Sequence, residues 1–78
     1  MQEFDIVFHS FSDVQKFVML ATEQPFEVYV ENIWQRVDAT SLMIMFSLDY
    51  RQNLKVTAQC GDGEFETFRL QVMEALGN

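Results

Sequence analysis

The stretch "EFDIVFH" alternates strictly, with Phe4, Ile6 and Phe8 on one side and Asp5, Val7 and His9 on the other. A period of two predicts a strand with one buried face. Ser12 followed three residues later by Gln15 reads as a capping box, and Asp13 suits the positive end of a helix dipole. Val14, Phe17, Val18 and Ala21 then recur at helical spacing, which predicts a first helix over 12–23, closed before Pro25. In "FEVYVEN", Phe26, Val28 and Val30 oppose Glu27, Tyr29 and Glu31, a second strand. A turn at 32–34 leads to a short third strand around 35–39, with no glycine to relax a tight hairpin. Thr40 and Ser41 are candidate caps for a short helix carrying Leu42, Met45 and Phe46 on one face, from which Met43 projects to another side. "LKVTAQC" sets Leu54, Val56, Ala58 and Cys60 against Lys55, Thr57 and Gln59, a fourth strand that "GDG" interrupts. With Asp62 as cap, and Glu64 and Glu66 in the first turn, Phe65, Phe68, Val72, Ala75 and Leu76 form the apolar face of a last helix over 63–76.

The order strand, helix, strand, strand, helix, strand, helix implies an α+β fold. If every element has a single apolar face, the economical arrangement is a four-stranded antiparallel sheet with three helices on one face. The helix-bearing connections favour split βαβ crossovers. Phe4, Ile6, Phe8, Phe17, Val28, Val30, Phe46, Val56, Phe65, Phe68 and Val72 are the expected core.

Length and composition narrow the function classes. Seventy-eight residues suit one domain, 1–78, and 49% hydrophobic content with eight phenylalanines is enough for a dense core. Five basic residues against twelve acidic ones, a net charge of −7, leave no cationic patch for phosphates, so nucleic acid and anionic membranes are poor partners. A protein partner is the expectation, with its identity and the oligomeric state left open. One cysteine, Cys60, forms no internal disulfide, and no apolar run is long enough for a signal peptide or membrane span. The cytoplasm is the expected compartment. No repeats, linkers, metal set or cofactor motif are visible.

Candidate chemistry concentrates in "FHSFSDVQKF", where the sole histidine, His9, neighbours Ser10, Ser12 and Asp13. A hydrolytic triad needs convergent side chains and an oxyanion hole, and residues so close in one strand-to-helix segment point apart. Capping explains Ser12, Asp13 and Asp62, and His9 fits an exposed strand end. Cys60 on the apolar side of a strand reads as core. Ser41 is a helix cap or a site of phosphorylation, since a phosphate there meets helix N–H groups. Met43 and Trp34 are candidates for exposed apolar contacts, and Glu27, Tyr29 and Glu31 for the solvated side of the sheet.

"RVDATSLMIMFSLD" resembles the stretch around the regulatory serine of the histidine-containing phosphocarrier protein, HPr, of the bacterial sugar phosphotransferase system. Ser41, Leu42, Met43, Ser47 and Leu48 fit that pattern, while Ile44 and Asp49 stand where the family usually has glycine and Phe46 replaces its second methionine. "LKVTAQCGDGEFE" is similar as well, and the likeness spans about residues 4–77. It implies an open-faced HPr-like sandwich and a short second helix that presents apolar side chains to partner proteins. On that basis Ser41 is the regulatory phosphorylation candidate, and Met43, Leu42, Ser47 and Trp34 are partner-binding candidates. The family's phosphotransfer motif, Gly-Leu-His-Ala-Arg-Pro, has no counterpart: "SFSDVQ" offers serine and aspartate where histidine and arginine belong. Two classes follow. One is a non-catalytic interaction or regulatory module whose partner belongs to the phosphotransferase system or its regulators. The other is a divergent phosphocarrier accepting phosphate on His9.

Overall fold

The computed structural model describes residues 2–49 and 51–77. Its elements are β1 (Gln2–Ile6), α1 (Phe11–Thr22), β2 (Val28–Glu31), β3 (Arg36–Asp38), α2 (Leu42–Ser47), β4 (Leu54–Ala58) and α3 (Asp62–Ala75). The strands form one sheet in the order β1-β4-β2-β3, antiparallel at every pairing. β1 and β2 therefore run parallel to each other with β4 between them, and β3 and β4 do the same across β2. These are the two split crossovers expected of the helix-bearing connections.

One side chain in two faces the core. Ile6, Val28, Val30, Leu54 and Val56 are buried together with Val14, Phe17, Met45, Phe68 and Val72 from the three helices, so all three helices lie on the same face of the sheet. Phe68 is the hub of this core. Its ring meets Phe26 edge-on at 5.8 Å, Phe4 at 6.3 Å and Phe17 at 6.2 Å. Phe17 in turn meets Phe8 at 5.4 Å. Burial of each such side chain stabilises by about 1.5–3 kcal/mol, and the edge-on rings add to that. Phe4, Phe46 and Phe65 of the expected core are only partly buried.

The uncovered face carries two cross-strand rows. Asp5, Lys55, Glu31 and Arg36 stand side by side, and so do Glu3, Thr57, Tyr29 and Asp38. Thr57, placed by alternation on the solvated side, is instead 1% exposed, and its hydroxyl has no hydrogen-bond partner among the described residues. In register it stands directly between the longer side chains of Glu3 and Tyr29.

Several element ends differ from the sequence expectation. α1 is capped by Ser10, not Ser12, whose place is inside the first turn. α3 begins one residue earlier than expected. Gly61, not Asp62, occupies its cap position, and Glu64 Oε1 accepts from the Gly61 N–H at 3.5 Å. Asp62 is the first helical residue, where its charge still favours the dipole. β4 stops at Ala58, which leaves Cys60 in the following turn and off the strand. Gly77, at φ 74°, takes the left-handed conformation that closes α3, as glycine does without steric cost. The β2–β3 hairpin manages without glycine because no non-glycine residue among the described residues has positive φ and the side chain of Asn32 closes the turn. Its Oδ1 accepts from the N–H groups of Trp34 at 2.7 Å and Gln35 at 2.8 Å.

Candidate functional site

The start of α1 is closed by reciprocal hydrogen bonds. Ser10 is extended at φ −159° and ψ 167°, and its Oγ accepts from the Asp13 N–H at 3.2 Å. Asp13 answers by accepting the His9 N–H on Oδ2 at 3.0 Å, so its carboxylate, 9% exposed, is folded back over the helix entrance. His9 is left exposed beside it. The pattern is a capping box shifted by one residue, which takes up the Asp13 N–H and sets a carboxylate where an incoming anion would approach.

Phe11 in the first turn of α1 stacks on Phe46 in the last turn of α2, with ring centroids 3.9 Å apart and planes 17° from parallel. This contact joins the two candidate regions. Around it α2 is short and open outward. Met43 is 85% exposed and Ile44 about half exposed, while Met45 is fully buried and Leu42 packs in part against the core. Ser47 is exposed and donates its hydroxyl to the Ile44 carbonyl at 2.6 Å. Ser41 stands at the cap position, yet its side chain makes no capping hydrogen bond. Asp38 secures the approach to α2 instead, accepting from the Thr40 N–H at 2.9 Å and its hydroxyl at 2.7 Å, which holds the Asp38 carboxyl below the usual range. Trp34 and Ile33 form the hairpin tip at 84% and 87% exposure. Trp34 precedes β3 and Ser41 follows it, so the two lie at opposite ends of that strand.

Four of the five cations are held by other side chains. Arg36 lies over the Tyr29 ring at 4.2 Å, Arg51 pairs with Asp49 at 3.3 Å, Lys55 with Glu3 at 3.6 Å, and Arg69 with Glu66. Lys16 makes no ion pair among the described residues. The Tyr29 hydroxyl donates to Glu27 at 2.9 Å, and that carboxylate pushes its pKa up. Burial, reinforced by Glu64 and Asp62, pushes the Cys60 thiol up as well, which is the opposite of an activated nucleophile. Among the described residues no group of three or more His, Cys, Asp or Glu converges to hold a metal, and no helix is long and apolar enough to cross a membrane.

No protein-family model and no curated protein matches the chain. Solved structures do. HPr-C-His from Thermoanaerobacter tengcongensis superposes with a TM-score of 0.73 at 23% identity, over 100% of this chain and 98% of that one. The histidine-containing phosphocarrier protein of Mycoplasma gives a TM-score of 0.68 at 9% identity, over 96% of this chain and 97% of that one. The chain has the HPr fold. On this HPr-like frame the sequence reading located Met43 and Trp34 as exposed apolar side chains but missed Phe11, Ile44 and Ile33. The signal was present for Ile33, next to Trp34 in a turn. For Phe11 it was not, because its partner Phe46 is remote in the chain.

Proposed function

We propose that residues 1–78 act as a single HPr-like domain with a non-catalytic, protein-binding or regulatory role related to the sugar phosphotransferase system. The observation that carries this reading is the Asp13 carboxylate at the entrance of α1, within hydrogen-bond distance of the His9 backbone. The Asp13 carboxylate held against the His9 backbone sets a like charge near a phosphoryl group on that residue, and Arg69, which lines the same groove as His9, is paired with Glu66. The binding surface is the outer side of α2 with the neighbouring start of α1: Met43 and Ile44 protrude, and Phe11 and Phe46 form the floor between the helices. Ser41, with no capping bond to lose, is the candidate switch. A phosphate there would add about −1.5 to −2 charge beside the apolar surface. A net charge of −7 favours a partner whose contact face is not acidic.

The test has two arms. Incubation with phosphoenolpyruvate and the first enzyme of the phosphotransferase system, followed by intact-mass measurement, is expected to leave the protein unmodified. An acid-labile phosphoryl group that disappears in His9→Ala would instead establish the divergent phosphocarrier. Pull-downs from the native cytosol with wild type, Ser41→Asp and Met43→Glu are expected to retrieve different proteins. Equal retrieval by all three places the binding site elsewhere.

A further inference from the structure

A second surface lies at the β1 edge of the sheet, the edge opposite β3, against which α2 packs. β1 is an edge strand, hydrogen-bonded to β4 on one side and to no strand on the other. Exposed edges of this kind template pairing with another chain unless charges, proline, a bulge or a covering element blunts them, and on β1 the only such devices are the acidic Glu3 and Asp5, which repel acidic strands and admit basic ones. β1 has no proline or bulge over Gln2–Ile6, and its five residues pair with β4 without interruption. Beyond the edge, a groove of about 300 Å³ opens between β1 and α3, lined by Phe4, Ile6, Val7, His9, Val72 and Met73 among others. α3 overhangs the strand here: Leu70 is exposed, and Met73 is partly exposed on the groove wall.

The charge pattern decides what can fill the edge. Glu3 and Asp5 stand exposed on the uncovered face, while Phe4 and Ile6 face the groove side. Lys55 is directly opposite Asp5 but pairs with Glu3, so Asp5 has no ionic partner among the described residues. Arg69, also at the groove, is neutralised by Glu66. A second copy of the chain fits badly. Antiparallel pairing of two β1 strands about Phe4 would put Glu3 opposite Asp5 twice, and like charges directly opposite are destabilising.

We infer that the free edge of β1 receives an extended segment of a partner protein as a fifth strand, with Lys or Arg at alternate positions and apolar residues between them. The basic side chains meet Glu3 and Asp5 on the open face. The apolar ones enter the groove against Phe4, Ile6, Val72 and Met73. Main-chain hydrogen bonds to β1 supply register, and the alternating pockets supply selectivity. This surface shares none of its residues with the α2 surface, so either can fail without the other.

The probe is a capped synthetic peptide, Gly-Lys-Val-Arg-Val-Lys-Gly, titrated into the isotope-labelled chain and followed by amide chemical shifts. Saturable shifts at 2–7 and 72–73 are expected, with slowed amide exchange along β1. Two control peptides sharpen the reading. A version with every basic residue replaced by Glu, and one N-methylated at alternate residues to block the ladder, are each expected to bind at least about tenfold more weakly. Glu3→Lys with Asp5→Lys, both at exposed positions, is expected to reverse the charge preference. The inference is overturned by unsaturable or absent shifts, by shifts centred on α2, by equal binding of either control peptide, or by self-association of the free chain through β1 at the same concentration.

Discussion

The starts of α1 and α2, the two helices joined by the Phe11–Phe46 stack, are built in opposite ways. At α1, Ser10 and Asp13 exchange hydrogen bonds with the backbone and the aspartate is 9% exposed. At α2, Ser41 occupies the cap position with no side-chain bond, and the helix is only six residues long. The difference is one of capping: the first start is tied down by side chains and the second is not. A helix entrance whose Asp13 N–H is taken by Ser10 and over which an aspartate carboxylate is folded contributes to the fold and is disfavoured for an anionic ligand. An entrance with an idle hydroxyl and protruding apolar neighbours is held by burial of Met45 and Leu48, and its outer surface is unused by the fold. On the proposed reading, the second helix start, not the first, carries recognition on this HPr-like frame.

The largest expected effect comes from breaking the closed entrance. Asp13→Ala removes the acceptor of the His9 N–H and should cost about 1–2 kcal/mol in urea unfolding, the range for loss of a helix cap with a buried partner. Ser41→Ala, which deletes a hydroxyl that caps nothing, should stay within about 0.5 kcal/mol of wild type. Equal losses at the two sites would remove the contrast on which the proposed division of labour rests.

A smaller effect lies in the ring pair that couples the two regions. Stacked at 3.9 Å, Phe11 and Phe46 should show an interaction energy of about 0.5–1.5 kcal/mol in a double-mutant cycle with Phe11→Ala and Phe46→Ala. Additive losses would mean that α1 and α2 behave independently at this contact and that the aromatic floor is no unit.

Much of the fold was legible because its elements obey single periods. β1, β2 and β4 follow from alternation at Phe4, Ile6, Val28, Val30, Leu54 and Val56, and α1 from the stripe Val14, Phe17, Val18, Ala21. What escaped was fixed by contacts between distant segments. Ser12 is as good a cap as Ser10 by local chemistry. Starting α1 at Phe11 brings that ring into the first turn, where Phe46 is waiting, and no local pattern contains that contact. Thr57 obeys the alternation yet is buried, because Glu3 and Tyr29 flank it in register. Cys60 continues the apolar parity of β4 but lies beyond its last pair, Gln2 with Ala58. At the candidate site, residue types were legible and roles were not. Asp13 was legible as a negative charge at the helix start, and what escaped was its bond to the His9 N–H, which fixes that charge over the entrance.

The smallest expected effect concerns how α2 is held in the absence of a working cap. Asp38 anchors Thr40 through two hydrogen bonds, and these, the backbone donor first, lower its carboxyl pKa. A carboxyl whose folded pKa lies below its unfolded value contributes stability at pH above the unfolded value, about 3.9 for aspartate, and that contribution is lost as pH falls through the folded value. Acid should therefore loosen the start of α2 before it touches the core. The amide signal of Thr40 should move with a midpoint below about pH 4, and Asp38→Asn should abolish that movement. The thermal midpoint should change only slightly across the same window, because Asp38 is exposed and solvent screens it. A Thr40 midpoint at or above the ordinary aspartate value would show that Asp38 is not the anchor, and that α2 is held by the burial of Met45 and Leu48 alone.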